Sequence, residues 1–118
     1  MKRAFWNILG LLAAAVVQFV LHAAISALGA HPFPVIGLAW LHLIAFLAGG
    51  YAGGAVAGRA WPAVVPAACF AAAYAGVDLL IDPGVSVSTL ALAGLGLWGN
   101  VWAARRSARA VTRRASSS

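Results

Sequence analysis

The sequence predicts an all-α fold, an antiparallel four-helix bundle integral to a membrane, and three observations predict it. Hydrophobic residues make up 64% of the chain and charged residues 8%, whereas soluble domains carry roughly 25% charged residues. Four apolar runs each reach the roughly 20 residues that the hydrocarbon core of a bilayer demands. Short breaks rich in Gly, Pro and Asp separate them.

The first run covers 5–28, after Lys2 and Arg3, and carries Gln18 and His22 inside it. It exceeds the apolar stretch of a secretory signal, about 7–15 residues, so it is expected to be retained as a helix. The second covers 33–57, following a break that holds His31, Pro32 and Pro34. The third covers 61–81 and opens on Trp61 and Pro62, where a first-turn proline loses no hydrogen bond. Pro66 lies one turn deeper and is expected to kink it. The fourth covers 85–104, after Asp82-Pro83-Gly84. Residues 105–118 form a basic cytoplasmic tail, expected to lie loosely ordered on the membrane surface. In hydrocarbon a lone segment must satisfy its backbone internally, which selects helices over strands, and the short loops make neighbours antiparallel.

Orientation follows from charge. The formal net charge is +6. Lys2 and Arg3, then Arg59, then Arg105, Arg106, Arg109, Arg113 and Arg114 flank alternate ends of the runs, and the other two loops have no Lys or Arg. The positive-inside rule then puts both termini and the middle loop in the cytoplasm, in a membrane of the bacterial inner (cytoplasmic) type. Arg59, Arg105, Arg106 and Arg109 are expected to bind lipid headgroups. Basic residues arranged as flanks of apolar runs, without a soluble reader fold, argue against nucleic acid as a partner.

Each predicted helix has one small or polar face. Asn7, Gln18, His22 and Ser26 share an arc of the first, and His42 aligns with Gly49 and Gly53 on the second, beside a ridge of Gly50, Gly54 and Gly58. On the third, Asp78 shares a face with Ala67, Ala71 and Ala75, with Tyr74 one turn away. On the fourth, Ser86, Thr89, Ala93, Gly96 and Asn100 cluster. Helices in lipid associate through small residues and interhelical hydrogen bonds, so these faces should turn inward. Gly49, Gly50, Gly53, Gly54, Gly58 and Gly96 are the expected packing glycines, serving the bundle itself or a contact with another copy or another membrane helix.

An ionisable side chain inside a span opposes insertion by roughly 2.5–3.5 kcal/mol, which makes it a functional candidate. His22, His42 and Asp78, with Gln18 and Thr89, form the expected polar or ion site, toward the extracytoplasmic half. Imidazole titrates near physiological pH and relays protons, so the leading expectation is a small transporter or channel, proton-coupled. The alternative is a non-transporting accessory or scaffold subunit that binds other transmembrane helices through its small-residue faces. Asp78 could also merely reach for the outer headgroups. His22, His42 and Asp78 have the ligand types of a metal site, and the histidines those of a haem site, but without diagnostic spacing; no metal and no cofactor is expected. Cys69 stands alone, which removes disulfides and multi-cysteine clusters. No nucleophile, zinc-protease or phosphate-loop motif occurs, so an enzyme is not expected.

Overall fold

The computed structural model describes the backbone of residues 2–29, 38–81 and 87–117, and their side chains apart from those of 29, 38–40, 77–79, 81, 87–89 and 116–117. Among these residues the chain forms four α-helices and no strand: α1 (Lys2–Gly29), α2 (Leu38–Ala57), α3 (Trp61–Ile81) and α4 (Val87–Ser117). The expected starts of the second and fourth helices, at 33 and 85, fall outside the described residues. α3 has the bounds read from sequence and continues through Pro66.

The clear departure is α4. Its helix does not stop at 104 but runs to Ser117, so the segment expected to be loosely ordered is helical. Two causes combine. After Gly99 the chain holds no Gly or Pro, and Ala and Arg, both strong helix formers, dominate it. Ser107 and Ala108 are buried, which anchors the extension, and Arg114 in the last turn complements the helix dipole.

Residue pairing across the interfaces gives the topology. Gly10 faces Gly53 and Ala57, Gln18 faces Gly49, and His22 meets His42, so α1 and α2 run antiparallel. Gly53 meets Ala63 while His42 meets Tyr74, which makes α2 and α3 antiparallel as well. Ala63 clusters with Ala104, and Phe70 and Ala71 with Ala93 and Leu97, so α3 opposes α4 in the same way. Between α2 and α4 the numbers rise together: Phe46 meets Gly96, Gly50 meets Asn100 and Gly54 meets Ala104. These two are parallel and closely packed. Among the described residues α1 and α4 do not touch, so α2 and α3 separate them.

Small residues make this closeness possible. A Cβ at Gly50 would run into the backbone of Asn100, and one at Gly54 into the Ala104 backbone and the Ser107 hydroxyl. Gly96 leaves room for the Phe46 ring, and Gly49 for the Gln18 side chain. At Gly53 a Cβ would stand 2.7 Å from Ala63 Cβ and 2.9 Å from Ala14 Cβ, so this one position joins three helices. Gly58 departs from the expected packing role. Nothing lies within 4 Å of where its Cβ would be, and its φ of 67° with an N–H donated to Gly54 O at 2.8 Å makes it the left-handed cap that ends α2.

The resulting interior is unusual in composition. Its buried apolar residues are chiefly alanines, among them Ala14, Ala45, Ala63, Ala67, Ala103 and Ala104, joined by Pro62 and by the larger ring of Phe46. Gln18, His22, His42, Asn100 and Ser107 are buried with them, while Phe5, Ile8, Val16, Phe19, Ile44, Leu95 and Trp98 are exposed. By length and composition one helix among the described residues, Lys2–Leu28, is long and apolar enough to cross a membrane; Leu41–Ala57 and Trp61–Gly76 are shorter apolar helices.

The packing account separates two chemically identical substitutions. Gly50→Ala places a methyl against backbone that cannot yield and is expected to destabilise by about 1–3 kcal/mol. Gly94→Ala meets open space and should instead gain about 0.5–1 kcal/mol of helix preference. Denaturation of the purified variants reads the difference, and equal effects at the two positions would contradict the close α2–α4 approach.

Candidate functional site

Three helices bring one polar residue each to a single point. The antiparallel pairing of α1 with α2 sets His22 beside His42, and that of α2 with α3 sets Tyr74 against His42. His22 Nδ1 lies 2.8 Å from His42 Nδ1. The ring centroids are 5.0 Å apart with planes inclined by 21°, a separation that exceeds the N···N distance by about two ring radii. The imidazoles therefore meet edge to edge, nitrogen facing nitrogen.

Two bare nitrogen lone pairs would repel at that distance, so a proton must lie between them. The Tyr74 hydroxyl stands 2.6 Å from His42 Nε2 and 2.8 Å from His42 Nδ1. This permits two arrangements of the same atoms. In the first, Tyr74 O–H donates to His42 Nε2, His42 Nδ1–H donates to His22 Nδ1, and His22 carries its proton on Nε2. In the second every polarity is reversed: His22 Nδ1–H donates to His42 Nδ1, and His42 Nε2–H donates to the Tyr74 oxygen. His22, His42 and Tyr74 thus form a hydrogen-bonded chain that can run in two directions.

Its surroundings are aromatic. The centroid of Phe46 lies 4.9 Å from that of His22, and so does that of Phe70. His22 is 5% exposed and His42 7%. A low-dielectric wall of this kind strengthens hydrogen bonds within the chain and raises the penalty for leaving a member unpaired. One such end exists: His22 Nε2 is buried without a partner among the described residues. Beside it, a groove of about 340 Å³ lies between α1 and α3, lined by Phe19, His22, Ala23, Ser26, Phe70, Ala73 and Tyr74. On the other side a void of about 10 Å³ touches His42, Phe46, Tyr74, Leu92 and Ala93.

Further buried polar groups line the bundle axis. Gln18, one turn before His22, is fully buried, and both its amide oxygen and nitrogen lack partners among the described residues. Asn100 Nδ2 donates to Phe46 O at 2.9 Å, tying α4 to the middle of α2, and its Oδ1 is unpartnered among the described residues. Each orphaned group opposes folding by about 1–3 kcal/mol.

Of the residues singled out from sequence, the fold joins His22 and His42 directly and leaves Gln18 one turn away. Asp78 and Thr89 fall on α3 and α4, with their side chains outside the described residues. Arg59 is half-buried in the α2–α3 turn, and Arg105, Arg106 and Arg109 are exposed on α4. Tyr74, Phe46, Phe70 and Asn100 are the residues that sequence reasoning did not place in the site. Tyr74 had a signal, since antiparallel pairing outward from the short turn at 58–60 carries it to the level of His42. Among the described residues no three His, Cys, Asp or Glu side chains gather as metal ligands would.

No family model, curated protein or solved structure matches this chain. The chemistry of the cluster therefore carries the functional reading alone.

Nitrogen-15 spectra of histidine-labelled protein give a direct check on the cluster. One of the two residues is expected to hold its proton on Nδ1 and the other to present a bare Nδ1. Two histidines both bare at Nδ1 would contradict the 2.8 Å contact. Tyr74→Phe, which removes one hydrogen bond to His42, should also lower stability by about 0.5–1.5 kcal/mol.

Proposed function

We propose that this chain is an integral membrane protein of transporter or channel type, in which the His22–His42–Tyr74 chain moves a proton or couples one to a solute. The observation that carries this reading is the nitrogen-to-nitrogen contact of two imidazoles at 2.8 Å, buried in an aromatic and alanine-rich interior with a groove on one side. A purely structural core gains nothing from such a pair that apolar side chains of equal volume would not supply.

The membrane setting is supported by the inverted distribution of polarity, with large apolar side chains outside and amide and imidazole groups inside. Helix alternation also gathers Lys2 and Arg3, Arg59 and the arginines of α4 at one end of the bundle. That asymmetry favours a cytoplasmic membrane with both termini inside.

A proton arriving at Tyr74 passes to His42 Nε2 as the Tyr74 proton moves along, His42 Nδ1–H transfers to His22 Nδ1, and His22 Nε2 releases a proton beside the groove. The chain is then left in its opposite polarity. A second proton in the same direction requires the rings to reset, and this intermittency suits coupling to a conformational or solute step better than continuous conduction.

The accessory-subunit alternative loses the surface first expected for it, because Gly50 and Gly54 already face α4. An exposed small-residue face of α3 with Ala68, Cys69 and Ala72 is open to another helix or a second copy.

Proteoliposomes under an imposed pH gradient, read by an internal pH dye, test the proposal. Wild-type protein is expected to pass protons alone or with a solute from a broad panel. Tyr74→Phe and His42→Ala should each cut the flux roughly tenfold or more, equivalent to about 1.4 kcal/mol of barrier, while helical content and elution stay unchanged. Wild-type vesicles without flux, or variants as active as wild type, would refute it.

A further inference from the structure

α4 carries a stripe whose chemistry changes along its length. Trp98, Val101, Trp102, Arg105, Arg106, Arg109, Ala110 and Arg113 follow one another at alternating spacings of three and one, so they lie on one face over about 22 Å. With Tyr51 of α2 they line a cavity of about 600 Å³. Its first half is aromatic and its second half is cationic. Trp98 is 68% exposed, and Tyr51 and Trp102 are each 48% exposed.

No Asp or Glu side chain lies among the described residues at this end of the bundle. The two acidic residues of the chain, Asp78 and Asp82, belong to the far end of α3 and the segment after it. The Arg106 guanidinium lies 5.5 Å from the centroid of Trp102. A cation–π contact of that kind uses the flat face of Arg106 and leaves its N–H edges available as donors. Arg105 and Arg109, one turn apart on the same face and both exposed, add two more forks suited to a phosphate.

We propose that this groove is a binding site for one anionic phospholipid, with the phosphate held by Arg105, Arg106 and Arg109 and the glycerol and upper acyl segments lying along Trp102, Val101, Tyr51 and Trp98. The length-wise change from aromatic to arginine matches the change from acyl chain to headgroup in a lipid lying parallel to the helix. A free phosphate or a soluble anion would engage the arginines and leave the aromatic half unused. A nucleic acid would need charge spread along a water-exposed surface rather than charge ending in tryptophan. The extension of α4 beyond residue 104 supplies the site, since without helix there Arg105, Arg106 and Arg109 would share no face.

Native mass spectrometry of the full chain, released from detergent after mixing with phosphatidylglycerol or phosphatidylcholine, tests this. The expected result is one retained phosphatidylglycerol and no comparable phosphatidylcholine. Arg106→Gln should weaken retention roughly tenfold, and the combined Arg105→Gln, Arg106→Gln, Arg109→Gln variant a hundredfold or more, at about 1 kcal/mol or more per basic side chain. Trp102→Leu, which keeps an apolar side chain but loses the cation–π contact, should also weaken it. Arg3→Gln, an exposed residue at the same end but outside the groove, should leave retention within about twofold. Equal loss in Arg3→Gln and Arg106→Gln would replace the site with diffuse attraction and overturn the proposal. Equal retention of both lipids, or displacement of the lipid by millimolar inorganic phosphate, would overturn it too. The readout is independent of proton flux, so failure here leaves the relay untouched and failure of the relay leaves this site standing.

Discussion

The close approach of α2 to its neighbours governs the rest of this structure. At Gly49, Gly50, Gly53 and Gly54 the space a side chain would fill is taken by Gln18, by the backbones of Asn100 and Ala104, and by Ala14 and Ala63. Backbones drawn together this tightly leave an interior filled mainly by alanine, glycine and polar side chains, with Phe46 as its large ring. Leucine, valine, isoleucine and tryptophan are thereby turned outward, and this is the reverse of how water sorts side chains. The reversal is the physical ground for the proposed bilayer setting, because hydrocarbon gives apolar side chains no reason to hide and gives polar ones every reason to meet.

The polar cluster is a consequence of the same geometry. With glycine at positions 49 and 53, α1 comes near enough for His22 to reach the edge of His42, and α3 near enough for Tyr74 to reach its other nitrogen. Phe46 fills the remaining volume and is itself admitted by Gly96. Small residues thus do two jobs, setting helix spacing and allowing one large ring to pack beside His22. Gln18 and the Asn100 carbonyl, buried and without partners among the described residues, continue the line of polar groups along the axis. Tolerating such groups reduces stability, and their alignment with the histidine pair is consistent with a site maintained for its chemistry rather than for packing.

Much of this was legible in the sequence, and the reasons differ by residue. Helix number and the bounds of α3 follow from apolar run length and from the Gly58, Arg59, Ala60 break before Trp61-Pro62, signals local to the chain. The convergence of His22 and His42 was foreseeable only as a shared depth, because the sequence sets a residue's height in a helix far better than its rotation toward a particular neighbour. Tyr74 went unplaced in the site for that reason. Gly58 was misread because i, i+4 spacing extends the ridge of Gly50 and Gly54 on paper, whereas a glycine at a helix end is free to adopt positive φ and stop it. The extension of α4 was missed because charge was read as a sign of disorder. Arginine is a strong helix former, Ser107 sits against Gly54 of α2, and Ala108 is buried.

The account stands or falls on what surrounds the outer faces of these helices. Cys69, the single cysteine, is exposed on α3 and can carry a spin label without any substitution. In reconstituted vesicles the label should be relaxed strongly by oxygen, which concentrates in hydrocarbon, and weakly by a water-soluble nickel chelate. Strong relaxation by the chelate with little effect of oxygen would mean that α3 faces water, and the inverted core would then need a different explanation.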